Sequence, residues 1–197
     1  MRTRLLFLAV VVLSLLVCLQ AGAAAAVITF DDLGVPDGSF INPIPGGYGG
    51  ATWDSDWFAV DKDHGGAYTT PHSGECAAGN GYGNDAKWFD FGAPVTLNGA
   101  WFATAPGSGS STSEVMLSDN LGHATGWLRL TAAPQFLGVN WAGATHITVN
   151  RDPTGWFTMD DVTYDKGGGH NGSPELSTWM LLACSGLAGL VIRRRRS

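Results

Sequence analysis

Charged residues are scarce in this 197-residue chain, at 14%, and cysteine is scarcer, at three. Cys18 lies in an apolar leader and Cys184 in an apolar tail, so Cys76 stands alone between them. A disulfide within the central region is thereby excluded; the fold must rest on burial, and Cys76 reads as a free thiol. Amphipathic helical patterning of useful length is also missing between the two ends. Bases are few: segment 27–173 holds Lys62, Lys87, Arg129, Arg151 and Lys166 against sixteen acids. Its net charge of −11 is far more acidic than the −6 of the whole chain. Such a surface repels phosphates and anionic lipid, which excludes nucleic acid as a partner and leaves cations and neutral sugars. Glutamate in this segment is limited to Glu75 and Glu114, and the sequence places no facing carboxylate pair of the kind glycoside hydrolysis needs.

What is present begins with the ends. Arg2 and Arg4 precede an apolar run from Leu5 to Leu19, and small residues follow from Ala21 to Ala26. This order is that of a secretory signal peptide, 1–26, which implies the Sec translocon and signal peptidase as partners. At the other end Pro174, Glu175 and then Ser177-Thr178-Trp179 lead into an apolar stretch that stops at Ile192. Arg193, Arg194, Arg195 and Arg196 follow. An apolar helix of about 14 residues rises only ~21 Å, short of the ~30 Å hydrocarbon core. Trp179 at one interface and snorkelling arginines at the other extend its reach to a transmembrane helix over about 177–192. The arginine cluster places the C-terminus in the cytoplasm and the central region outside it.

The order Pro-Glu, Ser-Thr-Trp, short apolar helix and arginine run resembles the PEP-CTERM sorting tail, over residues 174–197. The resemblance implies recognition by exosortase, a membrane-embedded transpeptidase, and a transient anchor followed by delivery to the cell surface or beyond. Leu176 departs from the pattern, which most often has a second proline there.

The middle, 27–164, is rich in short alternating runs punctuated by Gly, Pro, Asn and Asp. Candidate strands are 27–30, 57–60, 87–91, 95–102, 114–117, 126–130, 146–149 and 156–164, which predicts an all-β antiparallel β-sandwich of jelly-roll type. Residues 103–113 are small and polar and read as a loop; 165–173 are Gly-rich and read as a linker. Near its end, Phe157 and Met159 fall on one strand face and Val162 and Tyr164 on the other. Either both faces are buried or the strand changes face at Asp160-Asp161, where a bulge would re-aim a carboxylate.

Ile28-Thr29-Phe30-Asp31-Asp32 and Phe157-Thr158-Met159-Asp160-Asp161 look alike, and the second resembles the last strand of galactose-binding-like and lectin-like jelly rolls. In such domains the first and last strands pair and carboxylates beside them hold a structural Ca²⁺. The resemblance implies Asp160 and its neighbour Asp32 as calcium ligands, with Asp31 and Asp161 beside them. Asp54, Asp56, Asp61 and Asp63 crowd one loop with His64 but lack the later bidentate glutamate of an EF-hand, so a solvated turn is expected. His64, His72 and His123 are scattered rather than spaced for zinc. Among the aromatics Tyr48, Tyr82, Trp53, Trp57, Trp127 and Trp141, the pair Trp53 and Trp57 in a Gly/Asp-rich region is expected to stack on sugar rings. No nucleophile elbow is present. The expectation is a non-enzymatic surface or matrix module that binds polysaccharide in a biofilm setting; the alternative is a secreted carbohydrate-active hydrolase on the same scaffold.

Overall fold

The computed structural model describes residues 25–64, 71–81, 86–105, 114–152 and 156–166. The expected signal peptide up to residue 24, the expected linker from Gly167, the expected sorting residues Pro174 and Glu175, and the arginine cluster lie outside them. No helix among the described residues is long and apolar enough to cross a membrane.

The described chain is almost entirely strand. The strands are β1 (Ala26–Ile28), β2 (Phe40–Ile41), β3 (Thr52–Trp53), β4 (Trp57–Asp61), β5 (Cys76–Asn80), β6 (Lys87–Thr104), β7 (Glu114–Asp119), β8 (Leu128–Arg129), β9 (Gln135–Arg151) and β10 (Phe157–Lys166). Single 3₁₀ turns at Asp31–Leu33 and Tyr48–Gly50 are the helical exceptions. Every pairing is antiparallel, in the order β2-β4-β5-β10-β6-β9-β7-β8. Strand β1 adds to β10 and β3 to β6. The all-β antiparallel expectation therefore holds, and the first and last strands do pair, with Ile28 opposite Val162.

Three long strands, β6, β9 and β10, form the centre, and each changes face along its length. On β10, Phe157 and Met159 are buried in the core, and so are Val162 and Tyr164. The change of phase occurs at Asp160-Asp161, where the pairing to β6 slips and Asp161 adopts φ 46°. On β6, Val95 and Leu97 point inward, then Ala100 and Phe102 do, and the slip falls at Gly99 with φ 148°. A one-residue slip moves every later side chain to the other face, so these bulges keep the apolar residues inside while the strands curl. Strand β10 also runs past the expected domain limit at 164: Asp165 and Lys166 pair with Thr96 and Val95, so the linker begins later than residue 165. Similarly, Ala103 and Thr104 end β6 rather than begin a loop.

The core is aromatic. Trp53 stacks on Phe89 at 5.1 Å and meets Phe30 and Trp57 edge-on, and Trp57 meets Phe157 edge-on. Trp57, Phe30 and Phe157 are fully buried. The indole N–H groups of both tryptophans are satisfied: Trp57 Nε1 donates to Trp88 O at 2.9 Å and Trp53 Nε1 to Tyr48 O at 3.0 Å. Trp53 and Trp57 are therefore core residues and not sugar-stacking residues. The reason is β4, which is buried on both faces, so a loop-like composition around it did not signify exposure.

Candidate functional site

The outward face of β10-β6-β9 carries the chemistry that the core does not use. Register sets it out in rows. Asp160 lies opposite Trp101 on β6, and Trp101 opposite Phe136 on β9. In the next row Thr163 lies opposite Gly99, and Gly99 opposite Gly138. Asp165 lies opposite Thr96 and accepts from Asn98 Nδ2 at 3.1 Å.

The two facing glycines shape this surface. A Cβ on Gly99 would meet the Phe136 ring at 2.7 Å and the Leu137 carbonyl at 2.5 Å; one on Gly138 would meet the ring at 3.0 Å. The ring of Phe136 thus packs against bare backbone at the two glycines. It remains 47% exposed, which for a phenylalanine means that a side of the ring faces water. Trp101 stands beside it, with centroids 5.4 Å apart and planes at 49°. On Trp101 in turn lies the imidazole of His72, stacked at 3.6 Å and 9°.

Residues 71–76 fold over this face and are held by three carboxylates from the two terminal strand ends. The bulge at Asp160-Asp161 supplies two of them. Asp160 Oδ2 accepts the N–H of His72 at 2.8 Å and of Ser73 at 3.0 Å, and its Oδ1 accepts the N–H of Asp161 at 2.8 Å. Asp161 Oδ2 meets His72 Nδ1 at 2.6 Å and its Oδ1 accepts from Ser73 Oγ at 2.9 Å. Asp31 Oδ1 accepts the N–H of Glu75 at 2.7 Å and of Cys76 at 3.0 Å. Gly74, between the two clamps, has φ 56° and abuts the Asp31 carboxylate. Burial raises the Asp160 carboxyl to about 7, against the opposing pull of the loop amides. Burial also pushes the Cys76 thiol up to about 11, which leaves it protonated and unreactive at neutral pH.

The calcium pairing that the jelly-roll resemblance implied does not fit these residues. Asp160 is 2% exposed and both its oxygens already accept main-chain N–H groups. Asp32 turns elsewhere and accepts from the Tyr48 hydroxyl. It is Asp31, with Asp160 and Asp161, that converges on the loop, and what the three hold is polypeptide. Another acidic group, Asp37, Asp61 and Glu75, has ligand atoms within 4.8 Å of one another. There Asp61 Oδ1 accepts the N–H of Gly38 and of Asp63, and Lys62 pairs with Glu75 at 3.1 Å. Those amides hold the Asp61 carboxyl below its ordinary value, as a turn-stabilising aspartate requires.

No family model and no curated protein matches the chain. Among solved structures it is similar to TmCBM61 in complex with β-1,4-galactotriose, at 16% identity over 64% of this chain and 99% of that one, with a TM-score of 0.35. It is similar too to the CBM22-1 xylan-binding domain of Paenibacillus barcinonensis Xyn10C, at 9% identity, 74% and 97% coverage, and a TM-score of 0.41. The CBM22-1-CBM22-2 tandem of the same protein gives 9%, 78% and 49%, and 0.39. All three are carbohydrate-binding modules.

The remaining histidines are dispersed. His64 Nδ1 meets the Gly38 carbonyl. His123 pairs with Asp119 at 2.7 Å and stacks on Trp141; His146 pairs with Asp90 at 3.2 Å and stacks on Trp88. What distinguishes the His72 unit is its neighbour, the open ring of Phe136. Trp127 is 52% exposed as well, on the segment before β8, and no ring contact joins it to this row. Sequence reasoning missed Trp101, Phe136 and His72 as a group. Trp101 falls within an alternating run whose facing depends on the slip at Gly99, and residues 135–142 carry Gly138 and Asn140, which read as turn.

Proposed function

We propose that this chain is an exported, non-enzymatic polysaccharide-binding protein of the cell surface or extracellular matrix, delivered by an exosortase-type transpeptidase. The observation that carries the binding role is the half-exposed Phe136 ring, packed against Gly99 and Gly138 with Trp101 beside it. The π face of an aromatic ring is electron-rich, and the C–H groups on the apolar face of a pyranose are complementary to it. Hydroxyl and amide groups ring the platform at Thr163 and Asn98, where sugar hydroxyls find partners.

The delivery role rests on the sequence. The signal peptide takes the chain across the inner membrane, and the Pro174-Glu175, apolar helix and Arg193–Arg196 order serves as the address. Biofilm polysaccharide is the setting that such an address suits.

A hydrolase is less well served by the same residues. The Asp160 carboxyl, near 7, has the proton affinity of a general acid, but it is sealed beneath main-chain amides. The test is a glycan array probed with the full chain in detergent. Retention of polysaccharide without release of shorter products supports the reading. No retention across neutral and charged glycans refutes it, and turnover moves the assignment to the hydrolase.

A further inference from the structure

The row that offers an aromatic face also carries a fixed hydrogen-bonding atom and a fixed charge. His72 Nδ1 sits 2.6 Å from Asp161 Oδ2, an acceptor, so Nδ1 carries a proton and donates it. That assignment leaves Nε2 as the ring's second polar atom, on a side chain that is 34% exposed. The orientation is over-determined. The His72 main chain is tied to Asp160, Ser73 to both aspartates, and the ring to the Trp101 face. Such a group is pre-organised and loses little freedom when a ligand arrives. Carboxylates lie along the surrounding rows, Asp165 opposite Thr96 and Asp161 at the bulge, and the base on the same strand, Lys166, comes one position further on, opposite Val95. Lys62 and Lys87, by contrast, are spent on Asp63, Glu75 and Asp56.

We infer that this face selects uncharged pyranose polymers and that His72 is its specificity-determining residue, meeting a sugar hydroxyl through Nε2 while a neighbouring sugar rests on Phe136. The inference rests on the polysaccharide-binding reading above and adds the class of polymer. A uronic-acid or sulfated chain would bring its anions against Asp161 and Asp165, and the penalty is Coulombic, so it is greatest at low salt. A neutral chain meets no such penalty.

The test uses the full-length chain in detergent and three probes: neutral xylo- and galacto-oligosaccharides with β-1,4 linkages, and polygalacturonate oligomers of equal length. Affinities are measured for the wild type, Phe136→Ala, His72→Phe and Asp165→Asn. His72→Phe keeps a flat ring for Trp101 but removes Nε2. The expected result is binding of at least one neutral probe, with polygalacturonate weaker by about tenfold or more at low salt and the gap closing as salt is added. His72→Phe is expected to weaken the neutral probe by about tenfold, as loss of one hydrogen bond in a pre-organised site does. Asp165→Asn is expected to narrow the gap between neutral and acidic probes without loss of the neutral one. If Phe136→Ala abolishes binding while acidic and neutral probes bind equally well, the selectivity is overturned and the binding reading stands. Wild-type affinity in His72→Phe overturns the role of His72. If no probe of either charge binds the wild type, the binding reading itself fails, and this inference with it.

Discussion

Asp160 is the residue at which burial and charge conflict most directly. Its carboxyl is taken out of water by the loop that it holds, and desolvation raises it from 3.8 to about 7. The folded state thus binds this proton more tightly than the unfolded chain does. The contribution to stability is complete below the unfolded value near 3.8 and is lost as pH rises through about 7. Across that range the difference is about 4 kcal/mol. Thermal unfolding of Asp160→Asn compared with wild type from pH 5 to pH 8.5 checks this. The wild type is expected to lose stability relative to the variant as pH rises, whatever offset the lost amide contacts impose. Parallel curves would place Asp160 in a wetter setting than described. Trp57 presents the opposite case, an aromatic with nothing to resolve: it is fully buried and its N–H is satisfied. Trp57→Ala is expected to cost about 3–5 kcal/mol by chemical denaturation. A cost under 1 kcal/mol would mean that the ring is not in the core.

At the scale of elements, the two slips in β10 and β6 decide what faces outward. Without the slip at Gly99, Trp101 would follow Val95 and Leu97 into the core, and Phe136 would have no bare backbone to lie on. Gly99 has a φ that side-chain-bearing residues seldom adopt, and a Cβ there would collide with both the Leu137 carbonyl and the Phe136 ring. Gly99→Val is therefore expected to displace Phe136 and to lower Tm by several degrees, and sugar retention is expected to fall with it. A variant that keeps both Tm and retention would show that the platform does not depend on this glycine. The same slips explain how far the sequence could be read. Strand identity was legible where alternation was clean, as in Val95–Asn98 or His146–Val149, and where a short apolar run stood between turn residues, as in Trp57–Val60, and the double apolar phase around Asp160-Asp161 pointed to the bulge that is there. Strand β5, Cys-Ala-Ala-Gly-Asn, was not legible, because it is small and buried on both sides and so shows no alternation. The first half of β9 was obscured by Gly138, Asn140 and Gly143. The platform was hidden for a related reason: which face Trp101 takes depends on a register slip, and the pairing of Phe136 with Trp101 joins residues far apart in sequence.

On the proposed reading, the whole molecule combines an address with a binding face. The proposed address lies in sequence order: basic start, apolar leader, small residues, the strand-rich middle, Pro174-Glu175, an apolar stretch and four arginines. On this account the mature protein from its native host lacks Arg193–Arg196, which intact mass spectrometry checks. Surface-delivered molecules that retain the arginines would refute processing of the tail. The acidity of segment 27–173 agrees with the proposed role among neutral polymers, since it keeps the protein apart from phosphate-rich partners. The central claim is that the outward face of β10-β6-β9 binds polysaccharide through Phe136 and Trp101. The most direct measurement is the affinity of the full-length protein for a neutral polysaccharide that it retains, with Phe136→Ala and Trp101→Ala beside the wild type. The account predicts a loss of about tenfold or more in each variant, with unfolding temperature changed little for the exposed Phe136. Wild-type affinity in both folded variants would contradict it.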